Sequence, residues 1–362
     1  MIIYIITFLS SCLFANKAQK NENNKKKLII NSIIAIMIPS IVAGLRDFNI
    51  GVDVLVYGKN IFYSAVNSKS LLSFLNTCDA DLLYEVFNYI ISRITNDLNM
   101  FLFFMELFNI VLIYITLYRN RNKNKIWIGL LIFFCFFYNR TFNLLRQSMA
   151  LSVIFFGTYY LDNKKNLKFI ISVIIASLFH STAIICLIMI PIKLISEMES
   201  KKRIVYSLCI IILFLFSILN YDNILAVLIN TNLISSKMTY YISNKQFEFY
   251  IIETFIKILL LFVWIIFLRQ KDDKRDKYHL LIVVISILLF QLRGFADYAD
   301  RIGFYFEYMY FIIYSKNVKI NKKNKMISKL LIIIISVVYW IYKYIIMNSC
   351  NTFPYTSSIL GI

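Results

Sequence analysis

The chain has 362 residues, 59% of them hydrophobic, with 8 glycines, 3 prolines and a formal net charge of +19. Soluble domains average about 45–50% apolar, and here long apolar runs such as 208–219 and 331–338 recur between short lysine-rich breaks, which excludes an ordinary soluble domain. The cations sit in those breaks rather than on a basic face interleaved with stacking aromatics, so the charge points to membrane topology and excludes nucleic acid as a partner.

Backbone groups in hydrocarbon must be satisfied internally, and the runs lack the alternation of a barrel strand, so the expected fold is all-α: a polytopic transmembrane helical bundle of about 10–12 membrane segments. In chain order the spans are expected near 2–15, 28–45, 99–118, 126–139, 143–161, 169–195, 204–219, 251–268, 278–292, 302–315 and 328–346. The first run has no basic region before it and is expected to be retained as a span rather than cleaved as a signal. The whole chain, 1–362, is expected to be a single integral membrane domain with lipids around it.

Orientation follows from the breaks. Segment 16–27 carries five lysines against Glu22, segment 119–125 carries Arg119, Arg121, Lys123 and Lys125, and segment 162–168 carries Lys164, Lys165 and Lys168 against Asp162. These belong in the cytoplasm, which leaves the N-terminus and 46–98 outside. Segment 46–98 holds four cations and six acids, as suits a long external loop with amphipathic helical segments. Strict alternation would then expel the basic segments 269–277 and 316–325. It does not if 169–195, too long for one straight span and too short for two, is a broken or re-entrant hairpin with Phe179-His180-Ser181-Thr182 at its tip. The external side then receives 46–98, 139–143, 220–250, 293–301 and both termini.

Of six cysteines, Cys12, Cys135, Cys186 and Cys209 lie in apolar runs and are expected to be buried packing residues. Cys78 and Cys350 lie in polar segments, where a disulfide between them is one open reading, and no spacing suggests a metal.

Ionisable groups within or beside spans cost about 2.5–3.5 kcal/mol each at mid-helix, so function is the first explanation for them. Arg46, Arg146, Arg293 and Arg301 stand on the external edge outside every cytoplasmic cluster, whereas Arg140 falls in a loop where charge costs little. A guanidinium fork matches phosphate oxygens bidentately, so several arginines at one face suit a diphosphate. The plainer alternative pairs Arg46 with Asp47, and Arg301 with Asp300 or Asp297. Arg146 has no acid near it in sequence. His279 flanks a basic break and reads as interfacial. His180, inside a long apolar run, is either a hydrogen-bonded packing residue or a proton carrier at membrane depth.

In the external loop, Gly51-Val52-Asp53 suggests a tight turn presenting a carboxylate. Asp53 and Glu85 each read as a base or sugar-hydroxyl acceptor, or as a helix cap. Tyr57, Phe62, Tyr63, Tyr84 and Phe87 could stack on sugar rings or form an interfacial belt. Asp79-Ala80-Asp81 matches a short metal-binding pattern of nucleotide-sugar enzymes but faces outward, away from such substrates, and is discounted. There is no phosphate-binding glycine loop or zinc spacing.

Gly44-Leu45-Arg46 followed by Gly51-Val52-Asp53 and Tyr57 resembles the GxR…GxDxxxY opening of the EpsG-type bacterial polysaccharide polymerases, which group with the Wzy O-antigen and capsule repeat polymerases. Tyr84-Glu85-Val86-Phe87 is similar to that family's acidic-aromatic element. Arg146-Gln147-Ser148-Met149-Ala150 is similar to its RQxxA element, Ala176 to Ala183 to its AxxFHxSA element, and Asp300-Arg301 with Tyr305 to its late arginine–tyrosine segment. The sequence departs at Val54, where Thr or Tyr often follows the aspartate. The resemblance implies a metal-independent membrane glycosyltransferase, without cofactor, on the outer face of the bacterial plasma membrane. A growing glycan would leave its polyprenyl diphosphate and join the next polyprenyl-diphosphate-linked repeat. Arg146, Arg46 and Arg301 are then expected at the diphosphate, and Asp53, Glu85 and His180 as base or sugar-binding groups. Arg293, Tyr57, Gln147 and Tyr305 are expected to contact substrate, with a flippase and a chain-length regulator as partner proteins.

Competing functions are a flippase for lipid-linked sugars, an O-antigen ligase and a membrane acyltransferase acting on surface glycan. A flippase would predict matching halves, which the sequence lacks. An acyltransferase would need His180 or His279 near an acyl donor. A ligase shares the polymerase chemistry.

Overall fold

The computed structural model describes residues 1–220, 223–224, 226–227, 249–270, 273–294, 299–318 and 321–362. Most of the 220–250 segment expected outside, and Lys271, Asp297 and Lys319, lie outside the described residues. The chain is helical, with no strand among the described residues. Six described helices are long and apolar enough to cross a membrane: Ile2–Lys20, Lys25–Leu45, Leu98–Arg119, Ile251–Leu268, Lys274–Gly294 and Lys322–Ile346. The chain is therefore an all-α, multi-pass membrane protein. Its internal contacts divide it into two compact units, Met1–Ile184 with Phe311–Ile362, and Ile185–Tyr310.

In the first unit, α1 (Ile2–Lys20) and α2 (Lys25–Leu45) form a hairpin whose turn is capped by Asn24, which accepts from the Lys27 amide. Ser11 Oγ donates to the Ala35 carbonyl at 2.6 Å, satisfying a hydroxyl between the two apolar helices. The external loop folds into α3 (Lys59–Asn67), α4 (Leu71–Leu75) and α5 (Leu82–Ser92). Next come α6 (Leu98–Arg119) and α7 (Ile126–Phe133), which continues through a wide π-helical turn, Phe134–Tyr138, to Thr141. Then follow α8 (Leu145–Asp162) and α9 (Asn166–Phe179). Close approach rests on small residues: a Cβ at Gly44 would lie 2.6 Å from Phe103 Cβ of α6, and one at Gly157 would lie 2.7 Å from Ser172 Cβ of α9. Aromatic rings fill the interior, with Phe8 stacked on Phe134 at 4.9 Å and Phe136 on Tyr339 at 4.1 Å.

The two ends of this unit differ in charge. Gln19 Nε2 donates to the Arg121 and Asn124 carbonyls at 2.9 Å, Arg121 pairs with Glu22 at 3.3 Å, and the Lys125 amide donates to the Ser315 carbonyl at 2.8 Å. The basic breaks thus gather together. Toward the far end of α1, about 22 Å from Gln19 by helix rise, Tyr4 Oη donates to the Thr352 carbonyl at 2.7 Å. There the residues that follow Ile346 meet the 46–51 turn, with the Asp47 amide donating to the Thr356 carbonyl and the Gly51 amide to the Asn351 carbonyl. The 46–51 turn and the start and finish of the chain therefore share one end.

The expected break in 169–195 falls at His180, which is extended (φ −160°, ψ 117°) after α9 and before a tight 3₁₀ turn, Ser181–Ile188. With 14 residues, α9 spans about 21 Å, less than the hydrocarbon thickness.

In the second unit are α10 (Met189–Glu197), α11 (Ser200–Leu219), α12 (Ile251–Val263, continuing to Leu268) and α13 (Lys274–Phe290). Lys257 of α12 forms a buried ion pair with Glu307. The chain closes in the first unit with α14 (Lys322–Trp340) and a π-helical extension to Ile346.

Three expectations need correction, and one open reading is closed. The 302–315 run is broken into short pieces, Ala299–Ile302, Phe304–Glu307 and Tyr310–Ile313, and residues 303–315 are all buried in protein. A 14-residue apolar run is short enough to be core rather than span. Arg140 is buried, 3% exposed, with Nη2 donating to Tyr339 Oη at 2.9 Å and its guanidinium 5.2 Å from the Phe137 ring. All six cysteines are free, so Cys78 and Cys350 form no disulfide. Cys209 is exposed rather than buried.

Candidate functional site

The site forms at the 46–51 end of the first unit. Three segments distant in sequence meet there: the turn before α5, the first turn of α8 and the break after α9. Asp81 is the N-cap residue of α5, where a negative charge is favoured by the helix dipole. Its Oδ2 lies 3.0 Å from Nη1 of Arg146 and 3.6 Å from Nδ1 of His180. The three side chains are 16%, 31% and 23% exposed, enough for an incoming group to reach them.

A second chain of contacts holds the guanidinium from its other face. Arg146 lies 4.9 Å from the Tyr57 ring centroid, a cation–π contact. Tyr57 Oη donates to Asp53 Oδ2 at 2.8 Å, and the Asp53 amide donates to Asn143 Oδ1 at 3.3 Å. Burial, then the neighbouring Tyr84 and Asp53, push the Tyr57 phenol well above its ordinary value, so it stays protonated and donating.

Local sequence explains this placement. Gly51 adopts φ +90°, where a side chain is strained, and a Cβ would lie 2.2 Å from the Phe142 carbonyl oxygen. The tight turn expected from Gly51-Val52-Asp53 is thus present, packed against the segment leading to Arg146. Gly58 allows the Tyr57 turn to sit on α8, since a Cβ there would meet Leu145 Cδ1 at 2.5 Å.

Glu85 is buried, 4% exposed, and accepts from the Ala80 amide at 2.7 Å, which fixes the turn that presents Asp81. Beside it, burial and the Glu85 carboxylate push the Cys78 thiol up to about 12. Gln147 is buried at the start of α8.

Arg46 takes a different position. It is 0% exposed, its Nε donates to the Ile50 carbonyl at 3.3 Å, its Nη1 donates to Ala43, and it lies 4.2 Å from the Phe142 ring. Asp47, the partner that the plainer alternative gave it, instead accepts from Ser358. Glu106 of α6, also 0% exposed, supplies an opposing charge that favours the Arg46 cation. Close to Glu106 on α6, Asn109 donates to Ser148 Oγ at 3.1 Å and accepts from Ser152 Oγ at 3.2 Å, tying α6 to the α8 turn behind Arg146.

Arg293, Arg301 and Tyr305 belong to the second unit. Arg293 pairs with Glu253 at 3.3 Å and lies 4.4 Å from the Tyr250 ring. Arg301 is in the Ala299–Ile302 turn, and Tyr305 is buried. Of the expected site residues in the first unit, Asp53, Tyr57, Arg146 and His180 are linked by these contacts to Asp81, Glu85 holds the turn that presents it, and Arg46 is enclosed by protein.

Sequence reasoning named Asp81, the hub of the cluster, only within the Asp79-Ala80-Asp81 pattern, which it discounted as short and facing away from nucleotide sugars. It passed over Glu106, Glu253, Lys257 and Glu307. For Glu106, Glu253 and Lys257 the signal was present, since each is an ionisable residue inside a long apolar run. Among the described residues no group of three or more His, Cys, Asp or Glu is placed to hold a metal ion.

The family model described as the EpsG family matches residues 29–357. No curated protein and no solved structure matches the chain. The match covers most of the sequence, and the chain belongs to the EpsG family, among membrane proteins of polysaccharide biosynthesis.

Proposed function

We propose, starting from membership of the EpsG family, that this protein polymerises lipid-linked oligosaccharide repeats at the external face of the bacterial plasma membrane. The observation that carries the reading is the Arg146–Asp81–His180 cluster, where a phosphate-binding cation and a proton acceptor stand on one shared carboxylate.

In this reading the diphosphate of a polyprenyl-linked glycan takes the Arg146 guanidinium. A hydroxyl on the sugar of the next repeat attacks the anomeric carbon, and the bond from that carbon to the diphosphate oxygen breaks. His180 Nε2 receives the hydroxyl proton. Arg146 stabilises the charge gathering on the departing polyprenyl diphosphate, where a preorganised donor is worth about 3–4 kcal/mol. Tyr57 keeps the guanidinium aimed from below, and Asp53 orients the Tyr57 hydroxyl.

Asp81 couples the two halves. Without substrate its charge is shared by Arg146 and His180. Once a diphosphate occupies Arg146, the carboxylate is free to draw closer to His180 Nδ1, which fixes the tautomer and stabilises the imidazolium that forms. Glycan transfer then needs no metal. The basic breaks face the cytoplasm, and both termini face outward with the site.

Deletion followed by analysis of lipid-linked glycan tests this reading. A polymerase leaves surface glycan capped at a single repeat. Repeats trapped on the cytoplasmic side would instead indicate a flippase, full-length chains lacking a substituent an acyltransferase, and full-length chains left on the lipid a ligase.

A further inference from the structure

The last residues of the chain fold back as a strap over the 45–51 turn. Ser357 Oγ donates to the Leu45 carbonyl, the amide and hydroxyl of Ser358 donate to Asp47 Oδ1 at 2.8 and 2.7 Å, and Tyr355 Oη donates to the Val42 carbonyl at 2.8 Å. Between strap and turn lies a cavity of about 400 Å³. Arg46, Asp47, Phe48, Asn49, Asn99, Ser358 and Ile359 line it. None of the residues described above around Asp81 contributes to it. The volume is within the range of about 300–1,000 Å³ found for small-ligand sites.

The lining indicates the ligand's chemistry. Phe48 and Ile359 supply apolar surface, Phe48 half-buried and Ile359 exposed. Asn49 is exposed, and its amide makes no hydrogen bond with the protein. Asn99 spends its Nδ2 on the Gly44 and Arg46 carbonyls at 2.6 and 3.0 Å, leaving Oδ1 to accept. Asp47 uses Oδ1 for the strap, leaving Oδ2. Arg46 is 0% exposed, so the accessible charge is the Asp47 carboxylate. A carboxylate repels phosphate and acidic sugars. An aromatic face ringed by amide and carboxylate acceptors suits the hydroxyls and C–H face of an uncharged sugar.

We infer that the cavity between the C-terminal strap and the 45–51 turn is a secondary subsite for an uncharged sugar residue of the glycan, separate from the Arg146 site. The inference rests on the proposed polymerase function, and deepens it. The subsite retains a stretch of glycan between successive transfers, and so raises the number of repeats joined before release.

The test uses full-length protein in lipid nanodiscs. The probe is a set of oligosaccharides cut by mild acid from the polysaccharide of the producing strain, and the readout is saturation-transfer NMR. The expected result is a transfer signal in the wild type that falls at least fivefold in Phe48→Ala and in Asn49→Ala and persists in Arg146→Ala. In cells, Phe48→Ala is expected to shorten the most frequent glycan length at least twofold. Thermal unfolding in detergent verifies that the exposed Asn49→Ala variant is folded. A wild-type signal unchanged in folded Asn49→Ala, or no wild-type signal at all, overturns the subsite. Loss of polymerisation in Arg146→Ala with an intact probe signal would leave both readings standing. An intact glycan ladder in Arg146→Ala would sink the polymerase assignment of that site without touching the probe result.

Discussion

Asp81 and Arg146 stand 65 positions apart in the sequence, yet Oδ2 of one lies 3.0 Å from Nη1 of the other. The contact joins the turn before α5 to the start of α8, and the same oxygen lies 3.6 Å from His180. Removing that carboxylate leaves Arg146 charged but unsteered and His180 unoriented. Asp81→Asn is expected to lower the rate of repeat joining about 10²-fold, the scale of an impaired acid–base pair. Asp79→Asn is expected to stay within about twofold, because Asp79 does not take part in the cluster. Equal losses at both positions would point instead to a shared DxD function. Quantitative glycan ladders from complemented deletion strains distinguish the outcomes.

Arg46→Ala tests a structural role. The residue is 0% exposed and ties the 46–50 turn to the end of α2 through Ala43 and Ile50, with the equally buried Glu106 opposite. Removing Arg46 leaves the Ala43 and Ile50 carbonyls without their buried donor, which costs about 1–3 kcal/mol. The variant is expected to unfold at markedly lower temperature in detergent. Arg46→Ala combined with Glu106→Gln is expected to recover part of the loss.

Gly51→Ala places a Cβ 2.2 Å from the Phe142 carbonyl oxygen at φ +90°. Relieving that clash moves the turn that carries Asp53 and Tyr57. The expected outcome is normal membrane insertion with joining activity reduced at least tenfold. Wild-type activity would mean that the position of the turn does not matter to the site.

The strap is expected to respond to acid. The Ser358 amide, and then its hydroxyl, hold the Asp47 carboxyl below the usual carboxylate range. The folded value lies below the unfolded one of about 3.9. The contribution of the contact is therefore fully present above about pH 4 and is lost as pH falls through the folded value. Hydrogen exchange in 355–362 should accelerate in that acid window in the wild type. In Asp47→Ala it should already be fast at neutral pH.

Much of the fold was legible because the bilayer imposes long apolar runs, and the basic breaks at 16–27 and 119–125 do meet at one end of the first unit. The break at His180 was legible from the length of its run and the placement of charge around it. The 302–315 run misled because core and lipid demand the same apolar residues, and only burial tells them apart. At the site, Gly51, Asp53, Tyr57, Arg146 and His180 were visible as local patterns. Asp81 was not, because what singles it out is a contact between distant segments. Arg46 and Arg146 were both expected at the diphosphate, yet one is enclosed by carbonyls and the Phe142 ring and the other is partly exposed.

The most direct measurement is repeat joining by purified protein in nanodiscs supplied with its polyprenyl-diphosphate-linked repeat, resolved by length on a gel. Wild-type protein should produce a ladder with release of polyprenyl diphosphate, and folded Arg146→Ala should yield single repeats alone, with at least a 10²-fold loss of joining. A ladder of normal length and rate from the Arg146→Ala protein would contradict the account.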